Sequence, residues 1–506
     1  MTTGVEMSRV AESYFSLAPL VAVLISLIAA GFILLSRRRP NLRETWTIVA
    51  ALCKFTVVSS MVPTVLSGRY PEVTLLEMTP GISLALKADP LGLSFALSAS
   101  LLWIFTSFYS IGYMRALGEH HQTRYFASFA ICLSATMGIA FAANLLTFLI
   151  FYEVLTIATY PLVIHNESAA AISAGRKYLA FLLTAGGALL LAVGLTQAIA
   201  GSLSFSAGGF LSPSIGQTKL LALFVLFLIG VGAKAGLMPL HSWLPSAMIA
   251  PTPVSALLHA VAVVKAGVFG FARVVGFVFG PDSVTQIGAT TLVVAVAGGT
   301  IILASLLAMA QDNLKRRLAY STVGHLAYII LGTALASPAG WLGGLFHITT
   351  HAAMKITLFF CAGAIYVKTG RENISELDGI GKQMPLTMAA FAVASLGLAG
   401  LPPVGGFISK WFLVQGAVES GQLMLLAALL PSGLLNAGYL FPILIRAFFK
   451  SSKDFTNFAE APPLMVMALL STATFALLLG IYPDGIFYFY SLSSEAVASV
   501  LKGVAP

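Results

Sequence analysis

Apolar runs of about 20 residues recur from one end of the chain to the other, the length a helix needs to cross the hydrocarbon core of a bilayer. About 14 are legible, near 14–36, 45–67, 90–113, 124–142, 143–165, 175–200, 220–239, 251–277, 287–309, 317–336, 343–367, 384–410, 423–448 and 463–482. Backbone in lipid must satisfy its own N–H and C=O groups, so runs of this length are expected to be helical. Composition agrees: 58% of residues are hydrophobic and 9% charged, against roughly 25% charged in a soluble domain. The fold class expected is an all-α polytopic membrane protein.

The first run follows a nearly neutral stretch and ends in "SRRRP" with no small-residue cleavage site, so it is expected to remain as the first helix. The net charge of +9 does not mark a nucleic-acid partner, because the basic residues sort by loop. About 17 Lys and Arg follow odd-numbered runs and about 4 follow even-numbered ones, which puts the odd loops in the cytoplasm and both termini on the outer side. Cys53, Cys132 and Cys361 all fall inside runs, where buried, inert thiols are expected rather than a disulfide framework.

Once loops are assigned, six charges remain at membrane depth: Lys54, Glu153, Lys234, Lys265, Lys355 and Lys410. A charge near the bilayer centre costs a few kcal/mol, so such residues face a cavity or a partner. His259, His325, His347 and His351 lie at similar depth. In "HITTHAAMK", positions 347, 351 and 355 drift only about 40° per step and form one helical stripe. Glu153 must be neutral or paired with a cation, and lysines are available. Lys54 stands alone and is expected to snorkel or to pair locally.

Two rivals for the histidines fare worse. "HITTH" lacks the glutamate and third ligand of a zinc site, so no metal is expected. A haem held by two histidines would place fixed lysine charge around a cationic iron. No nucleotide fingerprint or cysteine cluster appears, and no cofactor is expected.

Two runs carry breakers at mid-depth. "LFLIGVGAKAGLMPLHSWLP" sets Lys234 before Pro239, and "SLGLAGLPPVGGFISKWFLV" sets Pro402, Pro403, Gly405 and Gly406 before Lys410. Interior proline removes a helix hydrogen bond, and such breaks survive in membranes only where protein or water satisfies the freed backbone. The broken runs are five apart, with lysine and breaker in opposite order, which points to inverted repeats of five helices. The expected organisation is an N-terminal three-helix segment (1–123), a first repeat (124–277), a second, inverted repeat (287–448) and a C-terminal helix and tail (449–506).

With these residues in view the chain resembles the proton-translocating antiporter-like subunits of Mrp cation/proton antiporters, respiratory complex I and membrane-bound hydrogenases. The motifs that carry the resemblance are "FYEVLTIATYPL", "GAKAGLMPLHSWLPSAMIAPTPVSALLHAVAVVKAG", "QDNLKRRLAYSTVGHLAYI", "HITTHAAMKITLFFCAG" and "GLPPVGGFISKWFL", within residues 85 to 450. It implies about fourteen helices with two inverted five-helix repeats. It also implies a coupled pair of Glu153 and Lys234, a central connection through Lys265 and the His259 region, a middle relay through His347, His351 and Lys355, and an exit-side proton site at Lys410; His325 is a further relay candidate from its depth alone. Lys410, where some relatives have glutamate, makes the chain resemble the Mrp D type and its complex I counterparts, while "ALLHAVAVVKAG" is similar to the larger Mrp A type.

The function expected is a proton-translocating subunit of a multi-subunit Na⁺(K⁺)/H⁺ antiporter of the Mrp type, in a bacterial inner membrane. The rivals are a proton-pumping subunit of a redox-driven complex and a structural or haem-carrying membrane subunit. Expected partners are other membrane subunits, protons, Na⁺ or K⁺, and lipid. Any redox chemistry would belong to partner subunits.

Overall fold

The computed structural model describes residues 12–501 apart from 80, 453 and 486. Both termini, and with them their expected outer placement, lie outside the described residues. Short turns aside, the first half of the chain forms α1 (Ala18–Leu35), α2 (Pro40–Ser60), α3 (Pro90–Ala116), α4 (Gln122–Ala140), α5 (Leu145–Val163), α6 (Ala169–Ala200), α7 (Gln217–Lys234) and α8 (Thr252–Phe279). The second half forms α9 (Ala289–Met309), α10 (Leu314–Ala334), α11 (Pro338–Thr369), α12 (Pro385–Ala399), α13 (Gly405–Glu419), α14 (Leu426–Phe449), α15 (Pro463–Ile481) and α16 (Phe489–Val500).

Among the described residues, 11 helices are long and apolar enough to cross a membrane, and the chain is a multi-pass integral membrane protein. The other expected runs fall on α4, on α10 and on the interrupted pair α12–α13. Local chemistry sets many of the starts. Asp89, Asn144, Ser168, Asn313 and Ser337 each accept a backbone N–H from the first turn of the helix that follows, satisfying a donor that has no partner within the helix. Asn144 thereby separates α4 from α5, although their apolar runs are almost continuous in sequence.

Burial decides which helices can carry charge. The apolar windows of α8 and α11 are buried around their whole circumference, whereas α1, α6 and α14 are buried on only a third or so of theirs. A helix enclosed on every side presents its polar groups to protein and not to lipid. Lys265 lies on α8, and His347, His351 and Lys355 lie on α11. α11 packs against α3, α10, α12, α13 and α15, and α8 packs against α7 and α10.

One feature departs from an all-helical chain. β1 (Glu12–Phe15) runs parallel to β2 (Arg69–Thr79), which pairs antiparallel with β3 (Ile82–Lys87). These strands cover the junction of α4 and α5: Lys87 N–H donates to Phe141 O, and Ala85 N–H to Thr147 Oγ1. The thiols also differ in part from expectation. Cys132 and Cys361 are buried, but Cys53 lies on the exposed face of α2.

Both expected breaks are present. The α7 helix stops at Lys234, and Gly236 takes a left-handed φ of 67°. α12 stops at Ala399, and Gly400 takes a φ of 91°, where any side chain would be strained. Pro239, Pro402 and Pro403 lie in the breaks on the exposed surface of the chain. Gly405 and Gly406, expected as breakers, are instead the first helical residues of α13. Their role is close approach: a Cβ on Gly405 would sit 3.0 Å from Thr350 Cγ2, and one on Gly406 would collide with Gly397 O of α12.

Candidate functional site

The first cluster forms where α7 breaks. Lys234 is the last residue of α7 and only 1% exposed. Its Nζ donates to Tyr152 O of α5 at 2.5 Å and lies 3.3 Å from the centre of the Tyr152 ring. A backbone carbonyl and an aromatic face are both partners for a cation away from water. Glu153 follows Tyr152 on α5. Both of its carboxylate oxygens are buried and have no hydrogen-bond partner. They face Gly186 of α6, where even a Cβ would collide with Oε1. Among the described residues Glu153 and Lys234 form no ion pair within 4.0 Å. The structure brings them to adjacent positions along α5 and leaves them separate.

The second cluster lies between α8, α10, α11 and α13. Lys265 Nζ is 2.8 Å from His351 Nδ1. The His351 and His325 rings stack with centroids 5.2 Å apart. His325 Nδ1 lies 3.1 Å from His347 Nε2, and His347 Nδ1 lies 2.8 Å from Ser409 Oγ. Ser409 precedes Lys410. Each nitrogen–nitrogen contact needs one partner that accepts, and a fully protonated lysine or histidine has no acceptor. The series therefore holds fewer protons than it has sites.

A second connection reaches the same break by neutral groups. Lys355 Nζ donates to Ser321 Oγ at 2.5 Å and to Leu318 O at 3.3 Å. Ser321 Oγ is 2.6 Å from Tyr439 OH, which donates to Asn436 Oδ1 at 2.8 Å. Asn436 Nδ2 donates to Leu398 O at 3.1 Å, and Lys410 Nζ donates to the same carbonyl at 2.6 Å. Leu398 is in the last turn of α12, where carbonyls lack helical partners and carry the negative end of the dipole. The break thus supplies the acceptor that holds Lys410. Sequence reasoning missed Ser321, Tyr439, Asn436 and Ser409, since neutral polar residues in an apolar helix carry no charge to mark them.

Two of the residues at membrane depth stand apart. His259 lies in a wide helical turn at Leu257–Val261, its ring 4.8 Å from that of Phe359, and neither ring nitrogen has a partner. Lys54 is fully buried, donating to Ser26 Oγ and to Leu133 O at 3.2 Å with the Trp103 ring 5.1 Å away. It pairs locally and does not snorkel. A buried pair also escaped the charge survey: Arg273, near the end of α8, holds Asp89 in a two-pronged contact while Asp89 caps α3. The Asp-Pro start of α3 was its sequence signal.

Comparisons with known proteins identify the family and the fold. Residues 142–435 match the family "NADH:quinone oxidoreductase/Mrp antiporter, TM". The chain is 31% identical over 449 residues to the N-type subunit of NADH-quinone oxidoreductase from Desulforudis audaxviator, covering 88% of this chain and 89% of that protein. It is 24% identical over 437 residues to the D-type subunit of the Na(+)/H(+) antiporter from Bacillus subtilis, covering 86% and 87%. In the solved Mrp complex from Dietzia sp. DQ12-45-1b, one chain superposes with a TM-score of 0.85 over 97% of this chain and 98% of that one, at 22% identity. The protein belongs to the family of antiporter-like membrane subunits found in Mrp antiporters and quinone oxidoreductases. Its structural relatives sit in multi-subunit membrane complexes.

Proposed function

We propose that this chain is the proton-translocating subunit of a multi-subunit Na⁺(K⁺)/H⁺ antiporter of the Mrp type, in a bacterial inner membrane. The observation that carries the reading is the enclosed series from Lys265 through His351, His325 and His347 to Ser409 beside Lys410. Protons pass by exchange of donor and acceptor roles at its hydrogen-bonded contacts, and cross between the stacked His351 and His325 rings, whose Nε2 atoms have no partner, by way of water or a ring movement. Glu153 and Lys234 form the coupled pair at the other break: Glu153 has free oxygens, and Lys234 is held one residue away on α5. Their approach and separation load and release a proton, because a carboxylate beside an ammonium favours the charged form of both. The two five-helix units, 124–277 and 287–448, each contribute one broken helix.

A second reading is favoured by the likeness to an oxidoreductase subunit along nearly the whole of both chains. In it the same relay is driven by electron transfer in partner subunits. Native mass spectrometry of the complex, purified through this chain, separates the two. Small hydrophobic subunits without flavin or iron–sulfur proteins are the expected result. Co-purifying redox subunits would replace the antiporter reading with the redox-driven one.

A further inference from the structure

Away from the relay, two loops bring nitrogen and oxygen donors together. The turn between α3 and α4 carries Glu119 and His120, and the residues after α5 carry His165. One donor atom from each lies within 4.8 Å of the others. His165 Nε2 is 3.6 Å from Glu119 Oε2, and His120 Nδ1 is 3.8 Å from the same oxygen. The His120 and His165 rings are 5.1 Å apart at an interplanar angle of 31°.

His165 is the informative member. Its side chain is fully buried, yet neither ring nitrogen has a hydrogen-bond partner. A buried polar group without a partner costs about 1–3 kcal/mol, so such a nitrogen aimed at a carboxylate and a second imidazole needs a ligand to account for it. Arg124 does not supply one. Its guanidinium is committed to Glu167 and to the His165 carbonyl.

We propose that Glu119, His120 and His165 bind a divalent transition-metal ion of the zinc class. Two imidazoles and one carboxylate are the protein ligands of a four-coordinate zinc site that keeps one position open. Tetrahedral geometry with bonds of about 2.0–2.1 Å puts ligand atoms about 3.3 Å apart. The two separations from Glu119 need to close by about 0.3–0.5 Å to reach that value, and the two ring nitrogens, within 4.8 Å of each other, close by a movement of the half-exposed His120 ring. Hard cations such as Mg²⁺ prefer all-oxygen shells and are poorly matched to two nitrogens. His120 also groups with His121 and Glu167, but all three of those are exposed and Glu167 is already paired with Arg124, so that group lacks the buried, unpartnered nitrogen that His165 supplies to the first. A bound ion ties the end of α5, the helix that carries Glu153, to the α3–α4 turn.

The test uses the intact complex, purified through a tag without histidine and stripped with chelator. Zn²⁺ is titrated by calorimetry, and Co²⁺ serves as an optical probe of tetrahedral coordination. Wild type is expected to bind one ion per copy of this chain, unaffected by millimolar Mg²⁺, with a tetrahedral Co²⁺ band. Even outer-shell partners of a metal cost about 10–100-fold in affinity, so His120→Ala and Glu119→Gln should each weaken binding at least about tenfold and abolish the band. His121→Ala should leave both unchanged. His120 is half-exposed, so its variant does not depend on repacking a buried ring. Equal Zn²⁺ affinity in wild type, His120→Ala and Glu119→Gln, or a wild-type Co²⁺ spectrum without a tetrahedral band, would overturn the proposal.

Discussion

The two helix breaks solve the same problem with different chemistry. At the first, Lys234 ends its helix, takes a carbonyl and an aromatic face from Tyr152, and has a carboxylate one residue further along α5. At the second, Lys410 lies inside α13, takes the terminal carbonyl Leu398 O from α12, and connects to further bases through histidines, hydroxyls and an amide. Where a carboxylate is at hand, charge can be compensated locally and ion pairing can be made and broken. Where only bases and neutral groups are linked, the way to change charge is to move a proton along the chain. The proposed division, coupling at the first break and conduction at the second, rests on this difference.

Substitutions sharpen this contrast, and the largest effect is expected at the first break. Glu153→Gln or Lys234→Ala should abolish ion-coupled transport, a loss of about 100-fold or more as for removal of an essential proton donor or acceptor, while the complex still assembles. Turnover assayed in vesicles and normalised to assembled complex checks this; normal turnover in either variant breaks the assignment of coupling to that site. A smaller effect is expected from Tyr439→Phe. It removes the hydroxyl between Ser321 and Asn436 but leaves the histidine series intact, so proton flux should fall by about tenfold, below the loss expected for a proton donor itself. If flux disappears entirely, the neutral connection is the main route and the histidines are secondary.

The smallest effect on transport is expected at Lys54. Its contacts, Ser26, Leu133 O and Trp103, belong to neither break. Lys54→Ala should leave flux within about twofold of wild type. It should lower stability by about 1–3 kcal/mol, because Ser26 and the Leu133 carbonyl lose a buried partner. A thermal melt of the assembled complex reads the second effect. Severe loss of transport at normal stability would place Lys54 in the pathway.

What was legible in the sequence follows from the bilayer. Because a charge is costly there, Lys265, His325, His347 and His351 stood out individually, and the helical stripe put His347, His351 and Lys355 on one face of a helix. Their pairing was not legible: Lys265 and His351 are 86 residues apart, and Ser321 and Tyr439 are 118 apart. Spacing within one helix says nothing about such contacts. Gly186 was invisible for another reason, since its role is to lack a side chain opposite Glu153. The strands at Arg69–Thr79 and Ile82–Lys87 had a signal, a Pro-Gly dipeptide between two short β-prone runs of the sequence. It was overshadowed by the long apolar runs on either side.

The most direct test of conduction through the second cluster is proton flux in proteoliposomes holding the intact complex, followed with an entrapped pH-sensitive dye. Lys410 donates to Leu398 O, which also accepts from Asn436; its Nζ faces the Tyr328 ring that packs on His325 and His347, and it follows Ser409, the partner of His347. Lys410 is the proposed proton site at the second break, so Lys410→Ala is expected to reduce flux to the level of empty liposomes while subunit composition stays unchanged. Full flux in Lys410→Ala would contradict the account and send the proton path elsewhere.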